Sequence, residues 1–441
     1  MDKKSAKKKI IIGIILGIVL IAGILFAVYK LAFDPYRGSV KSSGESHPLD
    51  EMLTVDRAIE DIDYVMEVYR DRHPAWLEDS NARVDDVEKQ YVTEVDDLKS
   101  SGVTEISVLE EWKIISRIMH CLYDGHSTVF HTDYNTHYLS DFTQINKYGL
   151  PVMIGNEPYE DVLNRFMAVY QYETESYAKA IFDSKVIVNE NYLRWCGIDT
   201  TGGIDYTFET DDGNTESFHY DFVPLDQVAG REEIETEDRG WVYYEIDKEN
   251  SIGIFTLTSC EYNDEYRKTV KSFFEAVKEA GTEHIIIDLR GNGGGSSLVG
   301  DEFLKYCNID GYYGWPSHVR FGPLLIKNEK YYIKNKKQEP LYNGDLYVLT
   351  NRRTFSAAMD FTMYVMDNDL GIVVGEESGN LPDSYGDTIS FQTPNARLNI
   401  TMSYKRWFRI DETKSGQPLV PDYPCPSSEA MDKAYEIILT H

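Results

Sequence analysis

The stretch Ile285-Ile-Ile-Asp-Leu-Arg-Gly-Asn-Gly-Gly-Gly-Ser-Ser-Leu-Val-Gly-Asp-Glu-Phe303 decides how the rest of the chain is read. Its first part, with His284 in front, is an unbroken apolar run of strand length, the type buried on both faces of a sheet. Its last part has helical spacing. Between them stand Gly291, Gly293, Gly294 and Gly295. Four glycines in five positions leave backbone N–H groups open to close approach, which suits a developing negative charge. A dinucleotide loop would need Gly at 296, where the chain has Ser296, and the Gly-Lys-Ser/Thr of a phosphate loop is absent. A tight turn that binds nothing would need only one glycine.

The surrounding sequence repeats this grammar. VYYEI and IGIFTL read as strands, EYRKTVKSFFEAVKEAG as a helix closed by Gly281, and LVGDEFLKYC as a helix. DLYVLT is a strand, SAAMDFTMYVMDN a helix and GIVVGE a strand. The alternation predicts parallel βα units with helices covering the sheet. In YVLTNRRTFSAAMDFTMYVM (residues 347–366), Ser356 falls where a strand hands over to a helix, at the sheet edge where open α/β folds place ligands. The N–H of Ala357 stands beside it as an oxyanion donor. Taken alone, a serine there is a helix cap. Ser296 and Ser297 are rival nucleophiles.

Upstream, HCLYDGHSTVFH (residues 120–131) turns at Asp124-Gly125 and presents His126 before a strand-like STVF. A lone turn histidine is ordinarily surface decoration. The spacing of His120, His126 and His131 fits no single helical face, and no HExxH is present, so no metal is expected. No cofactor is expected either.

The first thirty residues set the compartment. Ile10–Tyr29 is twenty uncharged residues, about 30 Å as a helix and enough to cross a bilayer core. Lys3, Lys4, Lys7, Lys8 and Lys9 precede it, which keeps that end in the cytoplasm and the body outside. A cleaved signal has a shorter apolar core and a small-residue site after it; Tyr29-Lys30-Leu31 is a poor one. The expected location is the cell membrane, single-pass, with an extracytoplasmic C-terminal body.

The 441 residues carry 44 Lys+Arg against 74 Asp+Glu, a formal charge of −30. Residues 1–30, with six Lys and one Asp, leave −35 on the remainder. Such a polyanion repels phosphate backbones, which excludes nucleic acid as a partner. The five cysteines are odd in number and widely spaced, with no CxxC, and read as small buried hydrophobes.

The organisation that follows is a basic tail (1–9), an anchor (10–29) and a linker (30–50) rich in Ser, Gly and Pro. A helical region (51–146) carries His126, and a mixed insert (147–235) has a hairpin turn at Asp212-Gly213. The α/β core occupies 236–441. Helices are expected from Thr54 to Tyr69, ended by Pro74, and from Ile106 to Leu122.

Taken together, IGIFTLTSC, IIIDLRGNGGG, LYVLTNRRTFSAAMDF, GIVVGEESG, DSYGDTISFQTPNARL and QPLVPDYP, in that order, resemble the tail-specific, or C-terminal processing, serine peptidases. The resemblance covers roughly residues 240–425 and reaches weakly upstream to DGHSTV. It implies a crotonase/ClpP-like ββα superhelix, α+β overall, and hydrolysis of peptide bonds in protein or peptide substrates. The Ser–Lys variant of that family places Lys in a segment that here reads GEESGNLPDSYGD (375–387) and contains none. The tricorn-type variant pairs Ser with an upstream His and a Glu near the C-terminus. It implies Ser356 as nucleophile, His126 as base and Glu412 as orienting acid, with Asp411 as competitor, and an oxyanion hole from Gly293 or Gly294 with Ala357. Where tricorn-type enzymes have Ser before that His, this chain has Gly125. Many members carry a PDZ module; its carboxylate-binding loop is not visible, and residues 147–235 are at most a degenerate one. The competing expectations are an inactive, peptide-binding relative and a crotonase-like acyl-CoA enzyme. The sequence does not give the oligomeric state.

Overall fold

The computed structural model describes residues 3–230 and 240–440. Its centre is a six-stranded sheet in which spatial order follows chain order: Val242–Asp247, Ile252–Leu257, His284–Asp288, Asp345–Thr350, Gly371–Gly375 and Tyr423–Pro424. The first pair is an antiparallel hairpin, which the expectation of purely parallel units did not include; every later neighbour is parallel. The apolar run of the third strand is explained by its two buried faces. Ile285 and Ile287 join the layer of helices Asp264–Ala280, Leu298–Leu304 and Ala357–Asp367, while Ile286 points to the opposite layer, closed by helix Ala430–Thr440. Asn263 caps the first of these helices through Tyr266 N–H, and Gly281 ends it at φ +69°.

A second sheet stands at the edge of this core. Its order is Leu324–Asn328, Ser317–Phe321, Asn399–Trp407 and Tyr385–Gln392, and Thr128–Phe130 also pairs with Asn399–Trp407. Thr401 faces Thr128 in that register, and Ile400 faces Val129. One C-terminal strand thereby holds the turn that carries His126.

The N-terminal helices are Val55–Arg72, Ala82–Ser100 and Val108–His120. The first and third match the periodicity; the second was not expected. Thr54, Asn81 and Ser107 cap their starts. These helices do not form a closed unit. Their core is completed by Ile389, Phe391, Ala396, Leu398, Ile400 and Met402 from the other end of the chain.

The insert contains the expected hairpin, Ile204–Glu209 with Thr215–Tyr220, extended by Met153–Ile154 and Glu157–Pro158 into four strands. Helices Tyr159–Met167, Glu175–Ile181 and Glu190–Trp195 pack into the N-terminal core.

The segment expected to be a free linker lies against the body. Val40 N–H donates to Ser390 O, Gly44 N–H to Asn399 Oδ1, and Ser46 N–H to Thr132 O. The N-terminal helix runs from Lys3 to Val28, followed by a looser turn over Tyr29–Phe33; residues 11–33 are long and apolar enough to cross a membrane and have no buried window. All five cysteines are unpaired, and Cys196, Cys260 and Cys307 are buried.

Candidate active site

The loop after strand Asp345–Thr350 is folded by its own polar side chains. Asn351 N–H donates to Thr354 Oγ1, and that hydroxyl donates to Leu289 O on the neighbouring strand. Phe355 N–H reaches Asn292 O, and Ser356 N–H reaches Oδ1 of the buried Asn380 at 2.7 Å. These bonds hold Ser356 at φ +53°, ψ −126°, a conformation that costs a non-glycine residue about 1–3 kcal/mol and is kept only when its surroundings impose it. Ser356 occupies the cap position of helix Ala357–Asp367, yet its side chain caps nothing. The capping role open to it from sequence is thus not the one it fills, and its hydroxyl faces a cavity.

That cavity, of about 130 Å³, is lined by Ser356, Ala357, His126 and Gly295, with Asp360 and Trp407 farther along its wall. Ser296 and Ser297 line it too. Gly294 shows why the loop is glycine-rich. At φ +95°, a Cβ there would lie 2.6 Å from Ser356 Cβ and 2.9 Å from Ala357 N, so only glycine lets the loop press against the Ser356 turn. Gly294 is not an anion donor, however, because its N–H is committed to Asn292 Oδ1 at 2.8 Å. The amides of Gly293 and Gly295 have no hydrogen-bond partner among the described residues, and Gly295 lines the cavity.

His126 sits on a turn built by Asp124. One carboxylate oxygen of Asp124 accepts His126 N–H at 2.8 Å; the other accepts from Ser403 Oγ at 2.8 Å and from His73 Nε2 at 3.0 Å. His73 Nδ1 accepts Ala75 N–H, so its proton is on Nε2 and points at Asp124. Burial holds His73 below the ordinary histidine range, hence neutral. Burial alone would raise Asp124; its bonds and proximity to His73 and His126 outweigh this and hold it well below the usual carboxylate range. The His126 ring packs on Phe355, with centroids 4.6 Å apart, and Phe355 stacks on Tyr177.

The carboxylate beside the imidazole is Glu173, not Glu412. Glu173 Oε1 lies 3.5 Å from His126 Nδ1, with the acid 3% exposed. It is fixed by Gly125 N–H at Oε1 and by Leu381 N–H at Oε2. Burial lowers the proton affinity of His126, but Glu173, Asp124 and Asp360 overcome it, so the imidazole titrates above its ordinary range. Burial pushes Glu173 up, and His126 pulls it back. Glu412 lies in a short turn, 74% exposed, facing Lys330 at 4.0 Å, and Asp411 bonds Thr413 and Lys414. A spacing carried over from the resemblance could not find Glu173, which comes from the insert and reaches the site only through tertiary packing. Asp124, His126 and Glu173 bring ligand atoms within 4.8 Å of one another, the one such cluster among the described residues. Both carboxylates are already engaged by backbone and side-chain donors, so the set serves the imidazole better than an ion.

Residues 251–424 match the model of peptidase family S41. The whole fold is similar to solved structures of CPAF: a point mutant (TM-score 0.66, 12% identity), mature CPAF (0.60, 11%) and mature CPAF complexed with lactacystin (0.61, 12%). Each alignment covers 88% of this chain and 96–97% of the other. At these identities the likeness speaks for a shared fold, and it extends over the N-terminal helices and the insert as well as the core. By the family match over residues 251–424, this chain contains a peptidase S41 domain and is a serine peptidase.

Proposed function

We propose that the protein is a membrane-anchored endopeptidase acting outside the cytoplasm, with Ser356 as nucleophile, His126 as general base and Glu173 as the acid that orients it. The observation that carries this is that Ser356 and His126, from opposite ends of the chain, line one cavity. Serine is unreactive at its free pKa and needs an adjacent base. His126 takes the hydroxyl proton as Ser356 attacks the carbonyl and returns it to the leaving amine. Glu173 Oε1, 3.5 Å from Nδ1, favours the proton on that nitrogen and so leaves Nε2 to accept. The tetrahedral oxyanion is received by Ala357 N–H at the helix start and by a free amide of the glycine loop, Gly295 or Gly293.

The anchor reading is supported by the helix over residues 11–33, its unburied surface and the flanking lysines. Fluorophosphonate labelling of the full-length chain tests the chemistry: the native chain should label and Ser356→Ala should not. An unlabelled native chain would favour the inactive, peptide-binding reading. Alkaline carbonate washing with N-terminal sequencing tests the anchor, since a mature start near residue 30 would remove it.

A further inference from the structure

The cavity at Ser356 holds a carboxylate that takes no part in the proposed proton transfer, although its charge adds to the proton affinity of His126. Asp360 stands on helix Ala357–Asp367 one turn beyond the nucleophile, about 6 Å along the axis. It lines the same cavity. Its side chain has no hydrogen bond and no ion pair among the described residues. Several other acids in the interior are met: Asp367 by Arg409, Glu94 by Arg117, and Asp61 by the amides of Asn395 and Ala396; the unpartnered Glu111 is fully buried and faces no cavity of the site. Asp387 lines the cavity opposite and adds negative charge, but Lys405 Nζ already meets it at 2.8 Å. The remaining wall offers Trp407, over whose ring Lys405 Nζ lies at 5.1 Å, and the hydroxyls of Ser296, Ser297 and Ser384. The indole edge packs against an alkyl stem. Hydroxyls accept from ammonium or guanidinium.

Building on the peptidase reading of this cavity, we propose that Asp360 is a specificity residue: its carboxylate receives the ammonium or guanidinium of a Lys or Arg side chain flanking the scissile bond. A free peptide α-amine shares that chemistry, but the position of Asp360 beside the nucleophile, within an endopeptidase reading, favours the side chain. Two further facts agree. Burial, with Asp387 nearby, pushes the Asp360 carboxyl up to about 7 although His126 pulls it down, and a bound cation would restore its charge. The chain as a whole carries −30, which steers cationic peptides toward it.

The test uses full-length enzyme and N-acetylated fluorogenic peptides differing in one residue at the cleavage position: Lys, Arg, norleucine or Glu. The kcat/KM for Lys and Arg should exceed that for norleucine by roughly 30-fold, and Asp360→Asn should collapse the ratio toward one. Asp360→Lys should turn the preference toward Glu. In Ser356→Ala protein, calorimetry should find the Lys peptide bound at least about tenfold tighter than the norleucine peptide, and this difference should vanish when Asp360→Asn is added. A native preference for norleucine, an equal loss on all peptides in Asp360→Asn, or equal binding in the Ser356→Ala background overturns the proposal. So does a preference that follows an unblocked N-terminus instead of the side chain. If the native chain fails to label with fluorophosphonate, the peptidase reading falls by itself, and the calorimetric comparison still decides Asp360.

Discussion

The nucleophile side of the site and the histidine side are built by different means. Ser356 sits in a local strand–loop–helix unit: a buried strand, a five-residue loop with Asn351 bonded to Thr354, and a helix start, which neighbouring loops then brace through Leu289, Asn292 and Asn380. His126 is placed by segments from across the chain. Its turn leans on Asp124, Asp124 on His73 and Ser403, and Glu173 on Leu381. Local construction leaves a sequence signature, because strand, turn and helix have compositions of their own. Construction from distant segments leaves almost none, because each partner is an ordinary buried residue until the chain folds.

This contrast can be broken experimentally. The largest effect belongs to the proposed nucleophile and base: Ser356→Ala and His126→Ala should each lower kcat by at least about 10⁴-fold with the fold retained, measured with peptide turnover and circular dichroism. Ser297→Ala should fall by less than about tenfold; the opposite pattern would move the nucleophile to the glycine loop.

Next comes the orienting acid. Glu173→Gln should cost about 10²–10⁴ in kcat, whereas Glu412→Gln should be neutral within about twofold. If Glu412→Gln is the damaging change, the long-range assembly drawn above is wrong at its key contact.

The pH profile gives a smaller, sharper test. The base must be neutral to accept the serine proton, and Glu173, Asp124 and Asp360 raise the affinity of His126 for a proton against the opposing effect of burial. Activity should therefore fall as pH drops through a value above about 6.5, the ordinary histidine range. Glu173→Gln removes the leading favourable contribution and should shift that acid limb downward.

The smallest effect on chemistry falls on the most remote partner. His73→Gln keeps a donor but not the fixed ring, and should lower kcat by about tenfold or less. His73→Ala removes one of the hydrogen bonds to the buried Asp124 carboxylate, at a cost of about 1.5–3 kcal/mol in stability, read by denaturant melts. A larger loss in kcat than in stability would make His73 a positioning residue for the reaction rather than a support for the turn.

What could be read from sequence follows the same division. The apolar strand 284–288, the glycine loop, Ser356 and its helix announce themselves by periodicity and turn chemistry. His126 was visible only as a turn histidine made interesting by the resemblance. Glu173 in QYETES was invisible, since nothing in its neighbourhood distinguishes it from the start of any capped helix. Asp360 was hidden inside an otherwise apolar helix. Strand 385–392 has no clear signature of its own, because Gly386 and Asp387, which line the cavity, break its alternation.

The pairing of Thr128 with Thr401 spans 273 residues. At roughly 5–20 residues per second of synthesis, about 14–55 s separate the appearance of the histidine turn from that of the strand that seats it. For that interval the N-terminal helices have a core missing Ile389, Phe391, Leu398, Ile400 and Met402. The histidine and its serine meet only when nearly the whole polypeptide has been made. A growing chain therefore cannot seat the His126 turn through Thr401 until strand Asn399–Trp407 has been made.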